Sequence, residues 1–135
     1  MSAKVSTFLS RTPPFSSLSM EEMEQVAPFL RKESFPANAI VFLRGRSIVQ
    51  NLHIIEKGEV ELFCNKDGEK IYAKRLGKGD VFGGIPILMT GGISTLSARA
   101  TEDCEIYTLE RKFFLETCIR SKSFYNFFEK AHAEQ

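Results

Sequence analysis

The chain has no tryptophan, only two histidines and only three cysteines in 135 residues. Two histidines, His53 and His132, are too few and too far apart for a histidine-based metal cluster. The cysteines, Cys64, Cys104 and Cys118, form no CxxC pair. That argues against a zinc site or a dithiol motif and leaves three reduced, buried thiols. There is no G-x-S-x-G segment and no Cys/His pair in a credible context, so neither common nucleophile arrangement is present. Long apolar runs are also missing, and none approaches the length of a membrane span. The first ten residues carry one lysine and no apolar segment, unlike a secretory leader, which predicts a cytoplasmic protein. Net charge is +1, so nothing in the balance points to a nucleic-acid or membrane surface.

What is present is an ordinary globular composition, 43% hydrophobic and 26% charged, with twelve phenylalanines that read as core. Ser10–Ser17 contains Thr12-Pro13-Pro14 and reads as a loop. Ser19 and Glu22 have capping-box spacing, and Met20, Met23, Val26 and Ala27 recur on one face, so a short helix is predicted that Pro28 ends or kinks. Short apolar or alternating runs follow: Ile40–Leu43, Leu52–Ile55, Val60–Cys64, Ile71–Leu76 and Glu105–Leu109. In the Val60–Cys64 run, Val60, Leu62 and Cys64 alternate with Glu61 and Phe63. Turn signals separate the runs, and Asp67-Gly68 is the strongest hairpin signal. Helical spacing returns at Glu110–Ile119. Ser121 and Ser123 are candidate N-caps for a last helix, whose Phe124, Phe127, Phe128 and Ala131 form an apolar stripe expected to pack on the chain's own roll, with a partner chain, or both, as the alternatives. That helix stops at Gln135 without a stop signal, which suggests a longer protein. The pattern predicts a mainly β fold with flanking helices: one domain over 1–135, with a helix and β-roll over about 8–109 and terminal helices over about 110–133.

Three segments carry more than pattern. Phe42-Leu43-Arg44-Gly45, then Leu52 through Val60 with Lys57-Gly58, then Leu76-Gly77-Lys78-Gly79-Asp80-Val81-Phe82-Gly83 resemble the cyclic-nucleotide-binding domain family. The family includes catabolite activator proteins, kinase regulatory subunits and gated channels. The resemblance covers roughly residues 8–130. It implies an antiparallel, jelly-roll-like β-roll, with an N-terminal helix and two C-terminal helices, and a phosphate-binding cassette. The cassette would begin at Phe82-Gly83, continue as a short helix over Gly84–Met89 and close on a strand over Ser94–Ala100. Gly45, Gly58, Gly77 and Gly79 are read as turn glycines that build the roll. The residues implied around a ligand phosphate are Phe82, Gly83, Gly84, Ile85, Ser94 and Thr95. No catalytic residue, metal or cofactor is implied beyond a cyclic-nucleotide ligand.

The sequence departs from the family in two places. Gly84 stands where a glutamate usually receives the ribose hydroxyl, and Ser94 stands where an arginine usually pairs with the phosphate. Thr95 keeps a hydroxyl close by. Each lost charge-assisted hydrogen bond is worth about 1.5–3 kcal/mol, so losing both weakens binding by roughly 10²–10⁴-fold. Arg99 lies an odd number of residues from Ser94 and faces the other side of a regular strand; only a bulge would let it replace the missing arginine. The register of Lys74 and Arg75 stays open. Three readings follow: a weakened or altered nucleotide sensor, a sensor retuned to another small ligand, and a ligand-free interaction or dimerisation roll. A cupin-type metalloenzyme is a more distant alternative, because His53 and His132 cannot form its metal cluster. No helix-turn-helix follows the roll, so DNA binding by this chain alone is not expected. Phe8-Leu9-Ser10 with Pro13-Pro14-Phe15, and Phe124 through Phe128, resemble bacterial proteins in which such a roll precedes a CBS-domain pair and a nucleotidyltransferase-like region. A homodimer through the terminal helices is a further expectation.

Overall fold

A computed structural model describes residues 3–133. Helix α1 (Ala3–Ser10) comes first, then a 3-10 turn at Phe15–Ser17, helix α2 (Met20–Val26) and a 3-10 turn at Ala27–Phe29 that contains Pro28. The capping box forms in full: the Glu22 N–H donates to Ser19 Oγ at 3.1 Å and the Ser19 N–H to Glu22 Oε1 at 2.8 Å. The Ser10–Ser17 segment is therefore part 3-10 helix where a loop is expected from the prolines. Helix α1 has no counterpart in the sequence reading. Its signal is Val5, Phe8 and Leu9 at helical spacing, and Leu9 is fully buried.

Eight strands follow: β1 (Arg31–Phe35), β2 (Ile40–Phe42), β3 (Asn51–Lys57), β4 (Val60–Lys66), β5 (Glu69–Leu76), β6 (Val81–Phe82), β7 (Ser97–Ala100) and β8 (Cys104–Glu110). They form two four-stranded antiparallel sheets, ordered β1-β8-β3-β6 and β2-β7-β4-β5, which make up the roll. Strand β1 is polar and exposed along most of its length, which is why alternation misses it; pairing with β8 holds it. Strand β3 is buried on both faces from Leu52 to Ile55. One face meets the helices and the other meets the opposite sheet. The Asp67-Gly68 turn closes β4 on β5 with φ of +52° and +81°, as a two-residue hairpin requires.

That hairpin carries a bulge. Asn65 pairs with Lys70 but Cys64 pairs with Tyr72, so Ile71 is the extra residue. The parity of β5 switches there, and Lys74 comes opposite Leu62. The outer face is laced by charge. Glu61, expected to point to solvent, is only 4% exposed, because Lys70 and Arg99 cover it at 2.6 and 3.4 Å. The Lys70 ammonium, with Arg99 adding to it, holds the Glu61 carboxyl below its ordinary range against the opposing effect of burial.

Helices α4 (Arg111–Arg120) and α5 (Lys122–Ala133) complete the chain. Ser121 is the joint between them, and its Oγ accepts from the Phe124 N–H at 3.2 Å, the role expected of an N-cap. Phe124 and Phe128 of the stripe are buried in an aromatic cluster: Phe124 meets Phe15 at 5.2 Å between ring centroids, and Phe114 meets Phe128 at 5.0 Å. Phe127 stays 37% exposed.

Candidate functional site: a cavity between the roll, the cassette and the last helix

The Gly77–Asp80 turn aims the chain at the site. The Asp80 carboxylate accepts from the Gly77 N–H at 2.8 Å. Ile55 and this turn exchange backbone hydrogen bonds, Gly79 N–H to Ile55 O at 2.8 Å and Ile55 N–H to Asp80 O at 3.0 Å. Strand β6 can then pair with β3, with Phe82 opposite His53. His53 stacks on Phe82 at 4.7 Å and its Nδ1 is buried without a hydrogen-bond partner. Burial pushes the imidazole down to about 4, with the nearby backbone of Asn51 and Phe82 pulling weakly the other way.

Gly83 caps helix α3 (Gly84–Thr90) at φ +93°, and a Cβ there would stand 2.8 Å from Asn51 O. Only glycine combines that backbone with that contact. Gly84 is different. Its φ is ordinary, but an added Cβ would stand 2.7 Å from Phe128 Cε1 and 3.1 Å from Leu52 Cδ1. The ring of Phe128, from α5, occupies the space that a side chain at position 84 would enter.

Beyond α3 the chain is tied down. Val49 N–H donates to Gly92 O at 2.7 Å, Gly45 N–H to Ser94 O at 3.0 Å, and Arg44 N–H to Ser97 Oγ at 2.9 Å. Ser94 Oγ donates to Leu96 O at 2.7 Å and accepts from Leu96 N–H at 3.1 Å, so this buried hydroxyl is already engaged. Strand β7 begins at Ser97, three residues later than the Ser94 start that the resemblance implies; the Ser94–Leu96 turn takes the difference.

These elements enclose a cavity of about 450 Å³. Phe82, Gly83, Gly84, Ile85, Ser94 and Thr95 all line it. Phe42, Leu62, Tyr72, Lys74 and Leu76 line it from the roll, and Phe127, Phe128, Ala131 and His132 line it from α5. Arg99 points away, donating to Asn38 Oδ1 at 3.0 Å and reaching Glu61, and Arg75 pairs outside with Glu59 at 3.1 Å. Lys74, whose direction the sequence leaves open, faces the cavity. Tyr72 and the α5 residues are among the lining side chains that the resemblance did not supply. Alternation along β5 is the signal for Tyr72 and Lys74, once the bulge is known. Among the described residues no group of three His, Cys, Asp or Glu could hold a metal ion, and no helix is long and apolar enough to cross a membrane.

Residues 32–121 match the family profile described as the cyclic nucleotide-binding domain. The chain is 30% identical over 105 residues to the cyclic AMP receptor protein of Thermus thermophilus, a match covering 77% of this chain and 48% of that protein. It is 29% identical over 99 residues to the cAMP-dependent protein kinase regulatory subunit of Blastocladiella emersonii, covering 72% of this chain and 24% of that one. It thus spans about half the length of the first and about a quarter of the second. Among solved structures, the regulatory subunit of a cAMP-independent protein kinase A from Trypanosoma brucei superimposes with a TM-score of 0.79 at 23% identity, over 96% of this chain and 46% of that one. A mutant of the same subunit, bound to cAMP in the A site, gives 0.72 at 22% identity, over 93% and 49%. The roll, its glycine-ordered turns and the match across residues 32–121 have one reading: the chain belongs to the cyclic nucleotide-binding domain family.

Proposed function

We propose that this chain is a regulatory ligand-sensing domain, not an enzyme, whose cassette holds ordinary cyclic nucleotides weakly. Phe82, Gly83, Gly84, Ile85, Ser94 and Thr95 surround the ligand, and α5 carries the output. The observation that carries this reading is the cavity itself, in which the cassette and α5 share one wall and Phe128 rests on Gly84. A ligand that favours one seating of that contact over the other shifts α5, and only such a difference in affinity can shift it. The regulatory subunit of a cAMP-independent protein kinase A shares this fold, so the roll is compatible with regulation that does not use cyclic AMP. We place the whole of 1–135 in one domain, acting in the cytoplasm, with a CBS-domain pair and nucleotidyltransferase-like region downstream. A dimer through the terminal helices is the second reading, favoured by Ile119, 84% exposed on α4.

Calorimetry with cyclic AMP, cyclic GMP and cyclic dinucleotides tests the reading. Relative to a micromolar site, two lost charge-assisted contacts place the dissociation constant at about 0.1–10 mM. Hydrogen exchange in α4 and α5 changes when the ligand that binds is present. Submicromolar binding of any of these nucleotides, or identical exchange with and without a saturating ligand, overturns the proposal.

A further inference from the structure

We infer that the cavity takes an amphipathic organic anion, and that its acidic group is read by Lys74 on β5 and not by the cassette. This rests on the reading of the cavity as a small-ligand site and adds the ligand's chemistry and orientation.

The argument is one of charge placement. Among the described residues lining the cavity, Lys74 is the one permanent cation; the other titratable groups there are Tyr72, Asp80 and His132. Asp80 is engaged by the Gly77 N–H. Four basic residues on the strands' outer faces are committed: Lys32 to Glu56, Lys70 and Arg99 to Glu61, Arg75 to Glu59. Lys74 has no hydrogen bond or ion pair among the described residues. The bulge at Ile71 is what brings it to the cavity side, opposite Leu62, where it lines the cavity while staying exposed.

The cassette offers no cation. Gly84 carries no side chain, and Ser94 Oγ is occupied on both sides by Leu96. An acidic group seated there would meet no opposite charge, whereas one at β5 meets an ammonium with three free donors beside the phenol of Tyr72. Much of the remaining lining is apolar: Leu62 and Leu76 from the roll, Ile85 and Met89 from α3, Phe127 from α5. A flat apolar body with one acidic substituent matches that distribution, its acid on β5 and its body against α3 and α5.

Two fluorescent probes of similar shape test this: anilinonaphthalene sulfonate, which carries the acid, and phenylnaphthylamine, which lacks it. Both are titrated into wild type, Lys74→Met and Lys74→Arg, with thermal melts confirming that each variant folds. The sulfonate is expected to bind one per chain. Its affinity falls about 10- to 100-fold in Lys74→Met and is retained in Lys74→Arg, while the neutral probe binds all three alike. If both probes bind and the sulfonate ignores Lys74→Met, the role of Lys74 is overturned and the cavity reading survives. Equal weakening of both probes by Lys74→Met also overturns the anion role. Absence of binding by both probes to wild type overturns the inference and the reading beneath it, and binding by the neutral probe alone overturns the inference only.

Discussion

Gly58, in the β3–β4 turn, and Gly84, at the start of α3, are both glycines whose added Cβ would collide with a neighbour, and the neighbours differ in kind. At Gly58 the Cβ would stand 2.6 Å from Asp103 O and 2.6 Å from Cys104 Sγ, on a backbone at φ +100°. Backbone and strand cannot move aside there without opening the roll. At Gly84 the φ is ordinary and the obstacle is the Phe128 ring, at the end of a side chain on the last helix. The first glycine specifies the fold. The second specifies where α5 sits on the fold. Identical letters in the sequence thus constrain an architecture in one place and a docked arrangement in the other.

The largest expected effect breaks the first half of that comparison. Gly58→Ala combines a left-handed backbone, about 1–2 kcal/mol, with overpacking of about 1–3 kcal/mol. A loss of about 4 kcal/mol in urea unfolding followed by circular dichroism is expected; a loss under 1 kcal/mol would show that the turn adapts.

Acid separates the two regions next. His53 lies beside Gly83, its folded value near 4 against an ordinary 6.5. The unfolded chain binds the proton first, so stability is complete above 6.5 and is lost as pH falls from 6.5 toward 4, by about 3 kcal/mol. His53→Phe removes that slope between pH 6.5 and 5. Measured unfolding curves across this window, with native-state hydrogen exchange, are expected to show opening at β6 and α3 before the β3–β4 turn. Equal slopes in the two proteins would exclude His53 as the cause.

The smallest effect sharpens the second half. Gly84→Ala is expected to lose about 1–2 kcal/mol, because a flexible ring can yield. In a Phe128→Leu background that loss shrinks, so the double-mutant cycle shows coupling above about 0.5 kcal/mol. Additive losses would mean that Phe128 does not govern position 84.

Much of the roll was legible in the sequence, because its signals are local. The Ser19/Glu22 capping box, the Asp67-Gly68 hairpin and the positive φ at Gly58 each depend on a few neighbouring residues. The six cassette residues converge on one cavity because the motif that suggested them also sets the β6–α3 turn. What escaped was set by distant partners. Strand β1 is polar and exists because β8 offers it an edge. Glu61 is buried by cations from two other strands, a fact alternation cannot supply. The meaning of Gly84 depends on Phe128, 44 residues later in the chain. Lys74 needed the bulge, which no local motif announces.

That bulge also sets which changes of length the hairpin tolerates. Ile71 is 59% exposed and is the spare residue of β5. Its loss leaves Tyr72, Lys74 and Leu76 in register with β4, so a one-codon deletion is absorbed. One more residue inserted at the same point, with the turn unchanged, exchanges the two faces from there to the strand's end. Arg75 and Ala73 then enter the cavity, and Lys74 joins the outer charges. Homologues that differ by a single residue in this hairpin are therefore not interchangeable, and the direction of the length change, more than the identity of any residue, separates those that keep the cavity's charge from those that rewrite it.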